Sequence, residues 1–406
     1  MKALLVVLDG LADISQPDLG GVTPLRAAPT PRLDRLASEG CCALMYTVPP
    51  GICPSSEVAH WRMFGYKLED FPGRSYLHAL AAGLPCEAGD ALFMFNLMPV
   101  RESRRGVFIE EGSPRPTHDA CRRWVERFQA LVPEGLRLYH LGGVEFVAVV
   151  RSGSHHVRPT DPFLHNLPLE RLRAVEGWEG DRVTSETLEA LGVFLDEAAE
   201  LLGEPGEEPW GRLGISMKWP SRAGGAEPFE RRHGLKAAAI VSTLCFEGMG
   251  ELLSMRVEVV EKGGAEEELR EKLRRALAVF REGWDFAFVH VKHADEAAHT
   301  GDPLAKKDTI ASLDRAFDVI EETIAGGDLL TVVTADHTTP TTSDPRVIHG
   351  GDPVPVLFSA PTVRRDAVRI FDEVEAASGG MGQLEAGDLV PLVLYLSRRA
   401  RFFTGP

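Results

Sequence analysis

The sequence predicts an α/β fold in which a doubly wound, mostly parallel sheet is interrupted by a smaller inserted α+β domain. Three observations support this prediction. Short apolar runs of strand length recur along the chain, segments with helical periodicity separate several of them, and residues 75–232 differ in texture from the rest. Strands that alternate with amphipathic helices are typical of such sheets, whose ligands bind beyond the carboxyl ends of the strands.

The first predicted strand is the aliphatic run at residues 3–8, which ends at Asp9 and Gly10. An uninterrupted apolar run of this length is typical of a strand that is buried on both faces of a parallel sheet. Later runs of the same kind, mostly apolar and rich in β-formers, predict further strands at 237–241, 286–291, 329–334 and 354–358.

Two segments between these strands have the apolar spacing of an amphipathic helix, with steps of three and four residues. The first begins near residue 266 and the second near residue 308. Their apolar positions are Leu269, Leu273, Ala276, Leu277 and Phe280 in the first segment, and Ile310, Leu313, Phe317, Ile320 and Ile324 in the second.

The inserted domain is predicted at residues 75–232, which leaves a discontinuous core of residues 1–74 and 233–406. The insert has Gly/Pro-rich stretches, arginine clusters and weaker periodicity. Within it, the sequence predicts strands at 91–95 and 144–150 and a helix at 185–202. The Gly/Pro-rich stretches are at 112–116 and 203–209.

The composition is that of an ordinary globular protein of 406 residues, with 44% hydrophobic and 26% charged residues. Sixty acidic side chains against 44 basic ones give a net charge of −16. This balance argues against a nucleic-acid partner or an anionic membrane surface, because both need a net cationic face. An anionic ligand would therefore be held by local cations or metal ions.

The six cysteines fall in no spacing typical of a zinc site, and we expect them to be reduced. The apolar run after Met1 is six residues long, too short for a signal peptide or a membrane span. The sequence therefore predicts a soluble, cytoplasmic protein without a disulfide framework.

The densest chemical signal is the stretch DFAFVHVKHADEAAHTGD at residues 285–302. It places Asp295 and His299 four residues apart, so that on a helix both side chains share one face and can hold one divalent ion. The alternative for this pair is a solvated helix start with Asp295 in its first turn.

Further carboxylates and imidazoles occur at strand ends or in loops. Asp336 and His337 follow the strand at 329–334, Asp9 follows the first strand, and His349 lies in the loop HGGDPVP. Mixed Asp and His sets without a thiolate suit manganese, zinc or magnesium. A turn-forming aspartate is the alternative for Asp336.

Ser56 supplies a candidate nucleophile. It lies in PPGICPSSEVAHWRMFGY, residues 49–66, where a Pro/Gly loop meets a predicted helix at 57–64. A helix N-terminus favours an anion such as phosphate, and a bound metal would lower the pKa of the serine hydroxyl. The alternative is a helix-capping role for Ser55 or Ser56.

Taken together and in order, the motifs VLDG, P-x-S-[DE]-x-A-H, D-E-x-x-H-x-G-D, DH-[ST]-TP and H-x-GDPVP resemble those of the alkaline phosphatase superfamily. Within it, the chain is most similar to the archaeal-type cofactor-independent phosphoglycerate mutases, enzymes of glycolysis. The resemblance extends over nearly the whole chain and includes GLKAAAIVSTLCFEGMG at 234–250.

The resemblance implies two divalent metal ions, with manganese as the first expectation and zinc, cobalt or magnesium as others. One ion would be held by Asp9, Ser56, Asp336 and His337, and the other by Asp295, His299 and His349. It also implies an isomerase that transfers a phosphoryl group through a phosphoserine at Ser56, with Lys292 or Lys218 holding phosphate. For each lysine taken alone, the favoured alternative is an ordinary surface lysine.

The insert departs from the family pattern on the side where a substrate carboxylate would need arginines. The family's GRGPxEA is here GRSYLHA with His78, its F-R-x-N element has Met94 in place of arginine, and a His-Arg pair is replaced by Glu145-Phe146. Arg104, Arg105 and Arg158 are candidate replacements that would bind the substrate, although loop arginines are usually solvated.

Three hypotheses follow for a protein whose expected partner is a small phosphorylated metabolite. The first is interconversion of 3-phosphoglycerate and 2-phosphoglycerate. The second, motivated by the altered insert, is a metal-dependent phosphatase or phosphotransferase that acts on another small phosphorylated metabolite. The third is a non-catalytic protein that binds a metal or an anion, although a structural site has no need of a nucleophile such as Ser56.

Overall fold

A computed structural model describes residues 1–110, 113–164, 167–203, 210–344, 346–400 and 402, and the two Gly/Pro-rich stretches of the insert fall partly outside these ranges. The chain forms two compact units. Unit 1 comprises Met1–Phe71 and Glu227–Pro406, and unit 2 comprises Pro72–Ala226. The sequence-based divisions fall after residues 74 and 232. The roles of the two parts, a metal-binding core and a substrate-binding insert, remain predictions.

The β-strands of the described residues are, in chain order, β1 (Lys2–Leu8), β2 (Cys41–Tyr46), β3 (Ala91–Ser103), β4 (Gly106–Ile109), β5 (Leu136–Gly142), β6 (Glu145–Val150), β7 (Leu213–Arg222), β8 (Ala237–Val241), β9 (Arg256–Val259), β10 (Phe286–Val291), β11 (Leu329–Thr334), β12 (Val354–Ser359) and β13 (Gly382–Glu385).

The α-helices are α1 (Pro24–Ala27), α2 (Pro31–Ser38), α3 (Ser56–Met63), α4 (Arg74–Ala81), α5 (His118–Phe128), α6 (Arg182–Leu202), α7 (Phe229–His233), α8 (Leu244–Leu252), α9 (Ala265–Arg281), α10 (His293–Ala298), α11 (Pro303–Ala316), α12 (Glu321–Ala325), α13 (Glu373–Ala376) and α14 (Leu389–Leu396). None of the helices that the structure describes is both long and apolar enough to cross a membrane.

Unit 1 is built on an eight-stranded sheet in the order β13-β2-β12-β11-β1-β10-β8-β9. Strand β12 runs antiparallel to both of its neighbours, and the other strand pairs are parallel. Helix α9 packs against β8 and β10, and α2 packs against β2 and β12. The prediction of an α/β fold with a mostly parallel sheet is therefore confirmed.

The centre of this sheet determines where the site forms. Strand β1 lies between β10 and β11 and pairs in parallel with both. All six residues of β10 and of β11 are buried, as expected for strands covered on both faces. Because the three strands are parallel, the residues that follow their carboxyl ends meet at one edge of the sheet.

One helical prediction differs from the structure. The apolar spacing from residue 308 to 324 predicts a single helix, but α11 starts earlier and the segment is interrupted. The Asp302 side chain caps α11 by accepting hydrogen bonds from Leu304 and Ala305, and a 3-10 turn at Phe317–Ile320 separates α11 from α12. Apolar spacing alone does not distinguish a continuous helix from one with a tighter turn in it.

Unit 2 contains an antiparallel five-stranded sheet in the order β4-β3-β6-β5, with β7 also paired to β3. Helices α5 and α6 contribute Phe128 and Phe194 to a core with Phe95 and Phe146 from the sheet. The predicted strand at 91–95 extends to Ser103 as β3. Strands β4, β5 and β7 and helix α5 were not predicted from the sequence.

Candidate metal centre

The carboxyl ends of β1 and β11 bring Asp9, Asp336 and His337 together. All three side chains are buried, and Nε2 of His337 lies 3.4 Å from Oδ1 of Asp9 and 3.3 Å from Oδ2 of Asp336. Asp9 and Asp336 are 327 positions apart in the sequence, and the pairing of β1 with β11 brings them to one edge of the sheet. They are one of the Asp/His groups compact enough to hold a metal ion.

Ser56 is the first residue of α3 and joins this group. Its Oγ lies 3.1 Å from Nε2 of His337 and 3.4 Å from Oδ2 of Asp9. Ser55 occupies the capping position without a side-chain capping bond. Ser56 therefore does not act as a simple helix cap, because its hydroxyl faces the Asp9 carboxylate and the His337 imidazole instead of the helix backbone.

A second group surrounds Asp295, in α10. Its Oδ1 lies 3.3 Å from Nε2 of His299 and 3.7 Å from Nε2 of His349. The His349 ring stacks on the His337 ring at 3.6 Å between centroids, so the two groups are contiguous. Asp295 is buried, whereas the His299 side chain is 43% exposed and lies at the mouth of the group.

Three further side chains contact the site, although no sequence pattern marked them as site residues: His60, His290 and Thr339. Nδ1 of His60 donates to the Ser56 carbonyl at 2.7 Å, and Nε2 of His290 lies 3.0 Å from Oδ2 of Asp9. Thr339 donates to Oδ1 of Asp295 at 2.8 Å. Only their positions in the sequence could have indicated a role in the site: His60 is four residues beyond Ser56 on α3, and His290 lies near the end of β10.

The hydrogen bonds determine which atoms remain to bind a ligand. Thr339 gives its proton to Asp295, so it accepts from Nδ1 of His337 at 3.0 Å. Nδ1 of His349 donates to the Pro54 carbonyl at 2.7 Å. Each imidazole therefore turns an unprotonated Nε2, with its lone pair, towards carboxylate oxygens. Lone pairs facing carboxylates repel each other unless a cation lies between them.

In each of the two strand-end carboxylates, Asp9 and Asp336, one oxygen faces hydrogen-bond donors and the other has no hydrogen-bond partner. Oδ1 of Asp336 accepts from the backbone N–H groups of Gly10 and His337, at 3.0 Å each, whereas its Oδ2 has no hydrogen-bond partner. Oδ2 of Asp9 faces several donors, and its buried Oδ1 has none. Buried oxygens without donors are costly, and a metal ion would satisfy both.

The charges of this cluster agree with the same conclusion. Burial raises the pKa of Asp9 well above its ordinary value, and the neighbouring Asp336 raises it further. Burial lowers the pKa of His337, and it lowers the pKa of His349 to about 4, so both rings are neutral near pH 7. Carboxylates crowded beside neutral imidazoles are the donor set of a divalent cation, and no thiolate belongs to it.

Lys292 is the cation that the described part of the chain places in this cluster. It follows β10, and its Nζ lies 2.9 Å from Oδ2 of Asp295 and 3.4 Å from Oδ2 of Asp9. Burial alone would lower its pKa, but Asp9 and Asp295 outweigh burial and raise it, so the ammonium stays charged. It bridges the two groups of ligand candidates.

In unit 2, Lys218 lies on β7 with its Nζ 3.3 Å from Oδ2 of the buried Asp161. The neighbouring strand β3 places Met94 directly opposite Lys218, and the Met94 side chain is fully buried. The residue at which the family pattern has arginine is therefore a cross-strand neighbour of this lysine.

The arginines predicted to bind substrate are all exposed. Arg104 and Arg105 form the turn between β3 and β4, and Arg158 lies in a loop where its backbone N–H donates to the carbonyl of Arg173 at 2.9 Å. Among the described residues, no side-chain hydrogen bond or ion pair links these arginines to Lys218. The structure therefore does not bring the predicted substrate cations together.

A family model for the metalloenzyme superfamily matches residues 1–395 of the chain and defines its class. Among curated proteins, the chain is 31% identical to 2,3-bisphosphoglycerate-independent phosphoglycerate mutase 2 of Methanocaldococcus jannaschii, over 99% of this chain and 95% of that protein. It is 32% identical to 2,3-bisphosphoglycerate-independent phosphoglycerate mutase of Methanopyrus kandleri, over 99% and 98% of the two chains.

Solved structures give the same result. A protein from Pyrococcus horikoshii superposes with a TM-score of 0.80 at 25% identity, covering 100% of this chain and 99% of that one. The cofactor-independent phosphoglycerate mutase of Thermoplasma acidophilum superposes with a TM-score of 0.65 at 25% identity, covering 98% and 100%. The chain belongs to the family of 2,3-bisphosphoglycerate-independent phosphoglycerate mutases, and the resemblance inferred from its motifs is confirmed.

Proposed function

We propose that the protein interconverts 3-phosphoglycerate and 2-phosphoglycerate by transferring a phosphoryl group through Ser56. The observation that carries this proposal is the position of the Ser56 hydroxyl, within 3.4 Å of both Asp9 and His337 at the start of α3. The Ser56 side chain therefore does not cap the helix. The membership of the chain in the phosphoglycerate mutase family supports phosphoglycerate as the substrate.

The proposed cofactors are two divalent ions, of which manganese is the first expectation. Asp9, Ser56, Asp336 and His337 would hold one, and Asp295, His299 and His349 would hold the other. When bound, such ions lower the pKa of a hydroxyl and neutralise charge on a transferring phosphoryl group. The unpartnered oxygens of Asp9 and Asp336 and the unprotonated Nε2 atoms of His337 and His349 support this assignment.

The proposed reaction is a double displacement. Oγ of Ser56 gives up its proton and attacks phosphorus in line; the Oγ–P bond forms, and the bond from phosphorus to the glycerate oxygen breaks as that oxygen takes up the proton. The other glycerate hydroxyl then attacks the phosphoserine, its bond to phosphorus forms as the Oγ–P bond breaks, and its proton returns to Oγ of Ser56. Lys292 stays protonated beside Asp9 and Asp295 and would donate hydrogen bonds to the phosphoryl oxygens.

Retention of glycerate between the two steps separates a mutase from a phosphatase. We propose that Lys218 binds the substrate anion, with Arg104, Arg105 and Arg158 as further cations that attract it. In a phosphatase, water would take the phosphoryl group from Ser56 instead. A cytoplasmic location is part of the proposal, since the six cysteines are all free.

A second candidate function is a phosphatase or phosphotransferase with the same metal chemistry. The observation in its favour is the buried Met94 directly across from Lys218, because a thioether cannot replace the bidentate contact of an arginine with a carboxylate. A substrate without that carboxylate would not need an arginine at this position.

Phosphorus NMR of the manganese-loaded protein with 3-phosphoglycerate distinguishes the two candidates. The proposal predicts the 2-phosphoglycerate resonance, an equilibrium mixture approached from either isomer, and no growth of inorganic phosphate. Release of phosphate without the isomer would reject the mutase and support the phosphatase. Elemental analysis after gel filtration should give two metal ions per chain.

A further inference from the structure

His290 differs from the other imidazoles around the centre in the atom that it turns towards a carboxylate. Its Nε2 lies 3.0 Å from Oδ2 of Asp9, and its Nδ1 is buried without a hydrogen-bond partner. The Asp9 carboxylate that binds a cation is ionised and only accepts hydrogen bonds, so in the metal-bound protein this Nε2 carries the proton. His337 and His349 present lone pairs, whereas His290 presents an N–H group.

Both ends of His290 are held in place. Its backbone carbonyl accepts from Nζ of Lys272 at 2.6 Å, and this buried lysine is itself anchored by Glu268 at 2.5 Å and by Ser242 at 2.9 Å. The His290 ring packs on the Phe246 ring, with 3.9 Å between the centroids. The ring is therefore fixed by packing on one side and by its own strand on the other.

The consequence falls on the two oxygens of Asp9. Oδ2 faces the His290 N–H, while Oδ1 is buried, has no hydrogen-bond partner and lies 3.4 Å from Nε2 of His337. A carboxylate that is free to rotate would exchange its two oxygens. A donor fixed at Oδ2 keeps Oδ1 directed into the group formed by Asp9, Asp336 and His337.

We propose that His290 is a positioning residue for the metal centre: by donating Nε2–H to Oδ2 of Asp9, it holds Oδ1 of that carboxylate in the orientation that binds the cation. This inference rests on the proposed function in one respect, namely that Asp9 is a metal ligand. Partners that orient ligating carboxylates typically contribute about 10- to 100-fold to metal affinity.

Two substitutions separate the hydrogen bond from the ring. Glutamine carries its amide nitrogen at about the reach of Nε2, whereas asparagine reaches only as far as Nδ1. Both lose the contact with Phe246. Isothermal titration of the metal-free proteins with Mn²⁺ should give an affinity about 10- to 100-fold lower for His290→Asn, and within a few-fold of the parent for His290→Gln.

A purely structural role for the ring predicts a different result, because both variants would then lose affinity and thermal stability equally. His233→Asn is the matched control. His233 lies in the same unit, bonded to the Phe64 carbonyl at 2.8 Å, and this variant should bind Mn²⁺ like the parent. Equal affinities for the Asn and Gln variants, or an Asn variant that binds like the parent, would overturn the inference.

A measurement on the unsubstituted protein covers the case in which His290→Asn does not fold. In the zinc-loaded protein with ¹⁵N-labelled histidine rings, the His290 signal, assigned by its loss in His290→Gln, should have the Nε2–H tautomer. The Nδ1–H tautomer would refute the inference. The metal assignment is tested separately by Asp9→Asn: if this variant binds Mn²⁺ as the parent does, the ligand set of the proposed function fails.

Discussion

The metal-ligand candidates of unit 1 and the substrate cations of unit 2 are held in different ways. In unit 1, Asp9, Asp336 and His337 are buried at the ends of neighbouring strands, and each has a fixed orientation. In unit 2, Arg104, Arg105 and Arg158 lie exposed in turns and loops, whereas Lys218 pairs with the buried Asp161.

The difference reflects what each kind of site requires. A cation centre needs several desolvated donors at short distances, and buried strands can fix these donors from residues far apart in the chain. An exposed arginine keeps its hydration and its rotamer freedom, so it attracts anions over a distance without fixing them. We therefore expect substitutions in the two regions to differ in size and in kind.

The largest effect is expected for Ser56→Ala. Loss of the nucleophile should lower kcat by on the order of 10⁴ or more, because the oxygen that forms the bond to phosphorus in the proposed reaction is removed. Metal content and the circular dichroism spectrum should stay like those of the parent. Turnover within ten-fold of the parent would remove Ser56 as the nucleophile.

Metal removal should have the next largest effect. A chelator should abolish turnover, and Mn²⁺ at about 100 times its dissociation constant should stabilise the folded protein by about 2.7 kcal/mol for each occupied site, measured by denaturant unfolding. The stabilisation should be smaller in Asp295→Ala, which loses a carboxylate of the second group. Equal stabilisation of the parent and of this variant would contradict a site that contains Asp295.

A smaller effect is expected for Lys218→Met. A hydrogen bond to a charged group contributes about 1.5–3 kcal/mol, so KM should rise about 10- to 100-fold while kcat changes less. This variant also leaves the buried Asp161 without its cation. Lys218→Met combined with Asp161→Asn separates that cost in stability from binding, and an unchanged KM in the double variant would exclude Lys218 from substrate binding.

The smallest effect is expected for Arg104→Gln, Arg105→Gln and Arg158→Gln. Exposed cations attract an anion from solution, so each change should lower kcat/KM about 2- to 5-fold at low ionic strength, and the difference should vanish in 1 M salt. A loss of more than ten-fold that persists in high salt would place that arginine in direct contact with substrate. The distinction between fixed ligands in unit 1 and exposed cations in unit 2 would then be wrong.

Much of unit 1 was predictable because its central strands are continuous apolar runs that end in charged residues. The runs at β1 and β11 predicted Asp9 and Asp336 at the carboxyl ends of their strands. The partners His60 and His290 were not predictable in this way. Their role depends on ring orientation and on which nitrogen carries the proton, and a sequence pattern contains neither.

Unit 2 was less predictable for a physical reason. Strand β7 carries Lys218, Trp219 and Pro220 and lacks a regular apolar alternation. Its pairing with β3 has a register shift between Leu92 and Met94, and Trp219 has a positive φ of 46°. Such an irregularity depends on a partner strand more than 100 residues away in the chain. The helix α6 was easier to predict, because its apolar spacing is local, and the Asp181 cap adds three residues to its start.

The central claim is that Ser56 carries the phosphoryl group within a metal centre formed at the ends of β1 and β11. Acid quenching of the manganese-loaded protein during turnover of 3-phosphoglycerate, followed by peptide mass spectrometry, tests it directly. We predict a phosphate on Ser56 that is absent without Mn²⁺ and absent in Asp9→Asn. Steady turnover with no phosphate on Ser56, or with phosphate on another residue, would contradict the claim.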